Sequence, residues 1–243
     1  MSVPIYILAW NRLDMTERCL REIAERTRMP HEVHLFVNEA WSERSDIDRI
    51  LRMSDYYTSV HFDKRNTACL YPKYVQHAMT CTSEPYYVVN DHDYFPPDLG
   101  SRCWLTRMVE EMHLYNHLGI LAAQLPPQHM QEPIEVMENH VLCKAVGNSL
   151  KLVRRVAFPA DILEQEVGKF GDDSYVCDLI QSKGFYHTAF SREVFCLHGG
   201  QMENWGYTKE QLDRDPRKAG YDEPYTYVYD IGTYVPEDPN LRM

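Results

Sequence analysis

The sequence predicts an α/β protein built on a largely parallel sheet with helices on both faces. Three observations predict it. Short β-branched apolar runs alternate with amphipathic stretches at helical spacing through the first half of the chain. The spacing suits strand–helix–strand units, whose crossovers should be right-handed. Polar residues cluster where each apolar run ends, the edge at which such sheets bind ligands.

The elements follow in order. Val3 to Ala9 reads as the first strand, and Asn11 with Asp14 as the turn after it. Met15 to Glu25 repeats apolar residues at Met15, Cys19 and Ile23, a helical spacing, with Asp14 and Thr16 offering a cap. Glu32 to Val37 is a strand, Ile47 to Met53 a short helix and Ser59 to Phe62 a third strand. Tyr71 to Met79 is helical through Tyr74, Val75, Ala78 and Met79. Pro85 to Val89 is a strand, and Trp104 to Tyr115 a helix that buries Leu105, Met108, Val109 and Met112. Gly119 to Ala123 is a fifth strand.

The second half is less regular. Prolines at 126, 127 and 133 mark a long excursion from Gln124 to Asn139. Val146 to Val156 reads as strand into helix, so Lys151, Arg154 and Arg155 are expected on a solvated helix face. Ser174 to Ser182 is helical, and Tyr186 to Leu197 looks like paired strands. Beyond Gly199 the periodicity fades into a charged, aromatic strap or lid. One domain is expected over 1–243, with a regular half at about 1–123, a less regular half at about 124–198 and the strap at 199–243.

Composition narrows the function classes. The chain has 243 residues, 44% of them hydrophobic and 12% aromatic, which suits a packed core and not a disordered chain. A net charge of -11 disfavours charge-driven binding to nucleic acid. No run nears the ~20 apolar residues of a membrane span. MSVPIYILAWNR reaches an apolar run without a basic leader, so it is read as a strand and not a signal peptide. The 7 cysteines lack any CxxC pair, which argues against thiolate zinc or a disulfide framework. Most are expected as small buried hydrophobes in a cytoplasmic protein.

The strand ends supply Asn11 and Arg12, Asn38 and Glu39, Asp63 to Asn66, and Asp91 with Asp93. The last set, in PYYVVNDHDYFPPDL, carries the sharpest chemistry. Strand alternation points Asp91 and Asp93 to one side, where they repel unless a cation lies between them. Mg²⁺ or Mn²⁺ suits such oxygens and keeps positions for phosphate. The plain alternative is a solvated acidic turn.

Three segments together resemble the GT-A glycosyltransferases, in particular the large family-2 group: IYILAWNR at the first strand, NDHDYFPPDL at the acidic strand end, and FGDDSYVCDLIQSKGF further on. The resemblance spans about Val3 to His198. It implies a Rossmann-like GT-A sheet and transfer of a sugar from a nucleotide diphosphate donor, UDP most often. It assigns Asp93 to the metal, with Asp91 on the ribose or the metal's waters and His198, in FCLHGG, completing the ion's ligands. Ala9, Asn38, Glu39 and Asp63 match positions that hold the donor base, and Asn66 matches a family asparagine. Lys64, Arg65 and Lys73 are expected to face the diphosphate, and Trp205 to lie over the donor. Gly199 and Gly200 allow a tight turn or hinge. The chain departs from the pattern at NEAWS, where Ser42 comes one place late, and at Thr67, where the family often has glycine.

Inverting transfer needs a carboxylate to take the acceptor's hydroxyl proton, apart from the metal. Asp172 and Asp173 offer it at the start of a helix, and the family makes the second of the pair the base. Asp173 is thus the expected base, with Asp172 contacting acceptor or orienting it. Simple helix capping is the alternative. Val146 to Ser149 resembles the acceptor-side strand before that base. A nucleotidyltransferase would open with a Gly-rich basic loop, where this chain has AWNRLDM. A non-catalytic binding module would have a broken acidic pair, and both pairs are intact. The acceptor could be a glycan, a small molecule or a hydroxylated base in nucleic acid, the last disfavoured by charge. The sequence leaves the oligomeric state open.

Overall fold

The computed structural model describes residues 1–9, 12–37, 44–62, 71–125, 133–158, 173–182 and 184–199, with backbone alone at 44–45, 71–73 and 173–175. In chain order the elements are β1 (Val3–Ala9), α1 (Leu13–Arg26), β2 (His31–Val37), α2 (Arg44–Arg52), β3 (Ser59–Phe62), α3 (Tyr71–Thr80), β4 (Tyr86–Asp91) and β5 (Tyr94–Phe95). Then follow α4 (Trp104–Leu114), β6 (Leu118–Gln124), β7 (Pro133–Val136), β8 (His140–Cys143), β9 (Lys151–Arg154), α5 (Asp173–Gln181), β10 (His187–Phe195) and β11 (Leu197–His198).

Nine strands form one sheet in the order β3-β2-β1-β4-β9-β6-β10-β8-β7. The strands β3, β2, β1 and β4 pair in parallel, as does β6 with β10. Between them β9 runs antiparallel to both β4 and β6. Because β9 reverses direction on each side, β6 and β10 point the same way as β1 and β4. The carboxyl ends of all these parallel strands therefore lie along one edge.

Every residue of β1 is buried, as expected of a parallel strand covered on both faces. On α1 the buried positions Leu13, Thr16, Cys19, Leu20 and Ile23 repeat at three- and four-residue steps, which gives one apolar stripe toward the sheet. Its N-terminus differs from expectation. Arg12 occupies the cap position in the left-handed region, φ 43°, with no side-chain cap bond, and Thr16 is fully buried. Tyr74, Val75 and Ala78 of α3 and Trp104, Leu105, Met108 and Met112 of α4 join the same core.

The second half corrects several expectations. The excursion from Gln124 to Asn139 includes an edge strand, β7, paired with β8. The segment Tyr186 to Leu197 gives the long strand β10 and the start of β11, which do not pair with each other: β10 joins the large sheet and β11 pairs with β5. Val146 to Val156 gives the strand β9 and a single 3₁₀ turn over Arg155–Ala157, not a helix. Its basic residues do not form a solvated face. Lys151 is fully buried. Arg154 donates to the carbonyls of Met112 and Tyr115 at the end of α4, and to Leu118 O at 2.8 Å. Arg155 donates to Met79 O at 2.6 Å and to Thr82 O at the end of α3. Helix C-termini leave carbonyls unpaired and carry partial negative charge, so a guanidinium with five donors serves both needs. Most described cysteines are buried, as expected, with Cys81 exposed.

Gly119 in β6 lies where α5 meets the sheet. A Cβ there would sit 2.6 Å from Ile180 Cγ2 and 2.9 Å from Tyr186 Cβ. Gly119→Ala should therefore destabilise the fold by about 1–3 kcal/mol, the usual cost of overpacking. Urea unfolding should show a lower midpoint with an unchanged slope.

Candidate active site at the carboxyl ends of the strands

The sheet register brings the first site residues together. Ile7 lies beside Asn90 and Leu8 beside Asp91, so β1 and β4 end at the same level. The strand order reverses between them, the position at which open α/β sheets take ligands. Arg12 follows one strand and Asp93 the other. Their side chains form a nearly buried ion pair, 10% and 7% exposed. His198 reaches the same point because β10 is parallel to the others and delivers β11 to this edge. There β11 pairs with β5, with His198 opposite Tyr94. Its ring stacks on Tyr94 at 4.5 Å, and its Nε2 lies 3.3 Å from Asp93 Oδ2. The Gly199 N–H donates to Asp93 O at 2.6 Å. A Cβ on Gly199 would meet the Phe95 ring at 2.5 Å, so close packing is what this position requires of glycine.

Buried polar side chains hold the acidic turn. Asn90 is fully buried. Its Oδ1 accepts the Leu150 N–H at 2.8 Å, and its Nδ2 donates to Tyr94 O at 2.9 Å. His92, between the two aspartates, meets Leu8 O through its backbone N–H at 3.1 Å and its ring Nδ1 at 3.0 Å. Asn148 donates from Nδ2 to Asp91 Oδ1 at 3.2 Å, while its carbonyl accepts the Asp91 N–H at 3.0 Å. Leu150, two residues on, is held in the left-handed region at φ 49°. Two non-glycine residues with positive φ, Arg12 and Leu150, thus flank the acidic turn, a strain that the surrounding hydrogen bonds maintain. The segment Val146 to Ser149, expected as a strand, is instead the irregular chain that carries Asn148.

The two carboxylates differ. Burial raises the Asp91 pKa, and the neighbouring charge of Asp93 adds to this, taking it to about 7 despite the Asn148 hydrogen bond and the Lys151 charge. At Asp93 burial also works upward. The hydrogen bond and charge of His198, with His92 and Arg12, outweigh it and hold the carboxyl well below the usual range. One group thus stays ionised while its neighbour titrates near neutrality, the expected behaviour of crowded carboxylates.

A divalent ion fits this set. Asp93 is an ionised oxygen donor, His198 offers an imidazole in contact with it, and Asp91 adds a carboxyl whose ionisation a cation would favour. The mixed oxygen and nitrogen set suits Mn²⁺ and also admits Mg²⁺. Ala9 is buried at the end of β1, beneath this edge.

Asn11, Asn38, Glu39, Trp41, Ser42, Asp63, Lys64, Arg65, Asn66, Thr67, Asp172, Gly200 and Trp205, with the rest of the 199–243 strap beyond Gly199, lie outside the described residues. Of Lys73 and Asp173 the structure gives the backbone. Asp173 opens α5. Along that helix Gln181 Nε2 donates to Lys144 O at 2.6 Å and to Thr188 Oγ1 at 3.1 Å, near the start of β10. One turn earlier, Cys177 Sγ approaches the Val146 N–H at 3.5 Å. From its C-terminal to its N-terminal end the helix therefore advances along the chain that leads to Asn148. Sequence reasoning missed Asn90, His92 and Asn148. Their signal is slight: polar residues inside or beside apolar strands, in VVNDH and GNSL.

The sequence matches no family model and no curated relative. The fold is shared with solved structures. A mannosyltransferase from Pyrobaculum calidifontis, PcManGT, in complex with GDP-Man and Mn²⁺, matches with a TM-score of 0.60 at 16% identity, over 87% of this chain and 60% of that one. GalNAc-T7 with UDP, GalNAc and Mn²⁺ matches at 0.60 and 12% identity, over 92% of this chain and 46% of that one. S. aureus TarS 1-349 in complex with UDP matches at 0.54 and 10% identity, over 78% and 57%. The chain thus spans from 46% to 60% of the length of these structures. At such identities the likeness establishes the fold, which is the GT-A arrangement that the sequence resembles. None of the described helices is long and apolar enough to cross a membrane.

The Asp91 pKa has a measurable consequence. Its folded value of about 7 stands above the ordinary 3.8, so the folded state binds this proton more tightly than the unfolded chain. The stability contributed is complete below about pH 4 and is lost as pH rises through about 7. With metal chelated, the protein should lose stability relative to Asp91→Asn as pH rises from about 4.5 to 7.5. Urea unfolding of both proteins across that range checks the sign.

Proposed function

We propose that the protein is a metal-dependent glycosyltransferase that moves a sugar from a nucleoside diphosphate donor, UDP-sugar first, to an acceptor hydroxyl with inversion. The convergence of Asp93, His198 and Arg12 at the switch point of a GT-A sheet carries this reading. The ligands named for the solved structures, GDP-Man with Mn²⁺ and UDP with Mn²⁺, support the donor class.

In this reading Asp93 and His198 hold the divalent ion, with Asp91 beside them. The ion, when bound, offsets the charge that develops on the leaving diphosphate. Arg12 provides a guanidinium at the same edge, suited to phosphate oxygens through its planar fork. The acceptor oxygen attacks the anomeric carbon, the bond from that carbon to the diphosphate oxygen breaks, and a carboxylate takes the acceptor's proton. Asp173 is assigned that proton. The course of α5 toward the Asn148 segment supports it, as does the position at a helix N-terminus, where an ionised carboxylate is favoured. Asp172 is assigned to acceptor contact or to orienting Asp173. The donor base falls to Ala9, Asn38, Glu39 and Asp63 and the diphosphate to Lys64, Arg65 and Lys73, with Asn11 and Asn66 also on the donor and Trp205 over it.

A panel of nucleotide-sugars with Mn²⁺ or Mg²⁺ tests the donor class by thermal stabilisation and slow hydrolysis. One nucleoside diphosphate sugar should stabilise the protein only when metal is present. Asp93→Ala should abolish that stabilisation, and an equal shift in the variant would remove Asp93 from the metal.

Asp173→Asn keeps size but cannot accept the proton. Donor affinity should survive, and turnover at saturating substrates should fall by roughly 10²–10⁴-fold, the usual worth of general-base help. Asp172→Asn should cost less. Near-normal turnover in both variants would reject the inverting base and leave a helix cap.

A further inference from the structure

We propose a second metal site, for a zinc-class divalent ion, formed by His34, His61 and His77 on the sheet face beneath α3. It is separate in residues and in ligand chemistry from the Asp93 centre, and it does not depend on the proposed transferase activity.

The placement follows from register. His34 of β2 pairs with Ser59 of β3, and Phe36 pairs with His61. Residues two apart on a strand share a face, so His34 and His61 emerge together. Tyr6 pairs with His34 across β1 and stands on the same face. The helix α3 then lays His77 over them. The His34 and His77 ring centres are 4.6 Å apart, and those of His61 and His77 are 5.4 Å apart. One ligand atom from each of the three histidines lies within 4.8 Å of the other two. Tetrahedral zinc with nitrogen at ~2.0–2.1 Å needs separations of about 3.3 Å. The required closure is of the order of an ångström, and His61 and His77 are partly exposed at the sheet edge.

The surrounding bonds suit ligating imidazoles. His34 Nδ1 lies 2.8 Å from Ser59 Oγ, and His61 Nε2 lies 3.0 Å from the same hydroxyl. His77 Nδ1 lies 3.0 Å from the Tyr6 hydroxyl. A hydroxyl oxygen has two lone pairs, so Ser59 can accept an N–H from both rings while Tyr6 accepts from the third. Metal-bound histidines are held in this way, with one nitrogen on the ion and the other donating to a polar group. Glu32 Oε2, 3.8 Å from His34 Nε2, adds a carboxylate for the fourth position. Three imidazoles favour Zn²⁺ over a hard ion such as Mg²⁺. The ion would tie together β2, α3 and β3, a four-residue edge strand without a fully buried residue.

The competing account is a cluster of rings packed for shape alone, since Phe36 stacks on His61 at 4.3 Å and Tyr6 on His34 at 5.3 Å. The full chain, stripped of metal and held in excess Mg²⁺, is titrated with Zn²⁺ and, for its visible spectrum, with Co²⁺. One equivalent should bind, raise the melting temperature and give the intense Co²⁺ absorption of a tetrahedral nitrogen site. Asp93→Ala should keep all three signals. His61→Ala and His77→Gln should weaken binding by more than the ~10–100-fold that even an outer-shell partner is worth. Far-UV circular dichroism checks that these variants fold. In the unmodified protein, zinc should protect His61 and His77 from carbethoxylation, which needs no variant. Absence of stoichiometric zinc binding would overturn the site. So would zinc binding kept in both histidine variants, or lost in Asp93→Ala alone.

Discussion

The buried side chain of Asn90 is the constraint on which the candidate site depends. It lies at the end of a central strand with no access to water, so its amide must be bonded within the protein. Its oxygen takes the Leu150 N–H and its nitrogen gives to Tyr94 O. The first bond fixes where the chain enters β9, and with it the Asn148 side chain on Asp91. The second fixes the turn that carries Asp91 and Asp93, and β5 after it, on which β11 and His198 pair. One amide thus sets the mutual positions of Asp91, Asp93, Asn148 and His198. An apolar residue of similar size would fill the space but leave a buried N–H and a buried carbonyl unmet.

That rigidity matters because the charges it holds oppose one another. Two carboxylates in a turn of three residues would separate if the backbone could move. His92 prevents this by tying the turn to Leu8 O, and Arg12 supplies the opposite charge from the end of β1. The result is one firmly ionised carboxylate and one close to neutrality. For the divalent ion proposed here, carboxylates already held in place leave little reorganisation to oppose binding.

The basic residues show how burial changes the meaning of a charge. Arg154 and Arg155 each close the end of a helix, through carbonyls that neither sequence neighbour nor strand can satisfy. Lys151 sits within the sheet and offsets part of the negative charge at Asp91. None of the three is surface charge, although the run KLVRR looks like one. The histidines of β2, β3 and α3 are similar: spread across more than forty residues of chain, they meet because parallel register and a crossover helix bring them to one face.

Much of this protein was legible in its sequence. Strands β1 and β3 and the helices α1, α3, α4 and α5 follow from apolar periodicity, because each buries a face whose spacing is local. The acidic strand end and His198 were visible as residue types that an apolar run does not need. What the sequence did not show depends on partners distant along the chain. Whether β9 runs parallel or antiparallel, whether the excursion after Gln124 holds a strand, and whether Tyr186 to Leu197 folds back on itself are settled by which edge each segment meets. Asn90 and Asn148 carry no periodic signal, and their hydrogen bonds span 60 and 57 residues. The sequence by itself determined the period of the elements in the first half and the residue types at the strand ends. Only the tertiary structure decided which of those ends meet and which charges are buried, because register and desolvation belong to pairs of segments and not to either one alone.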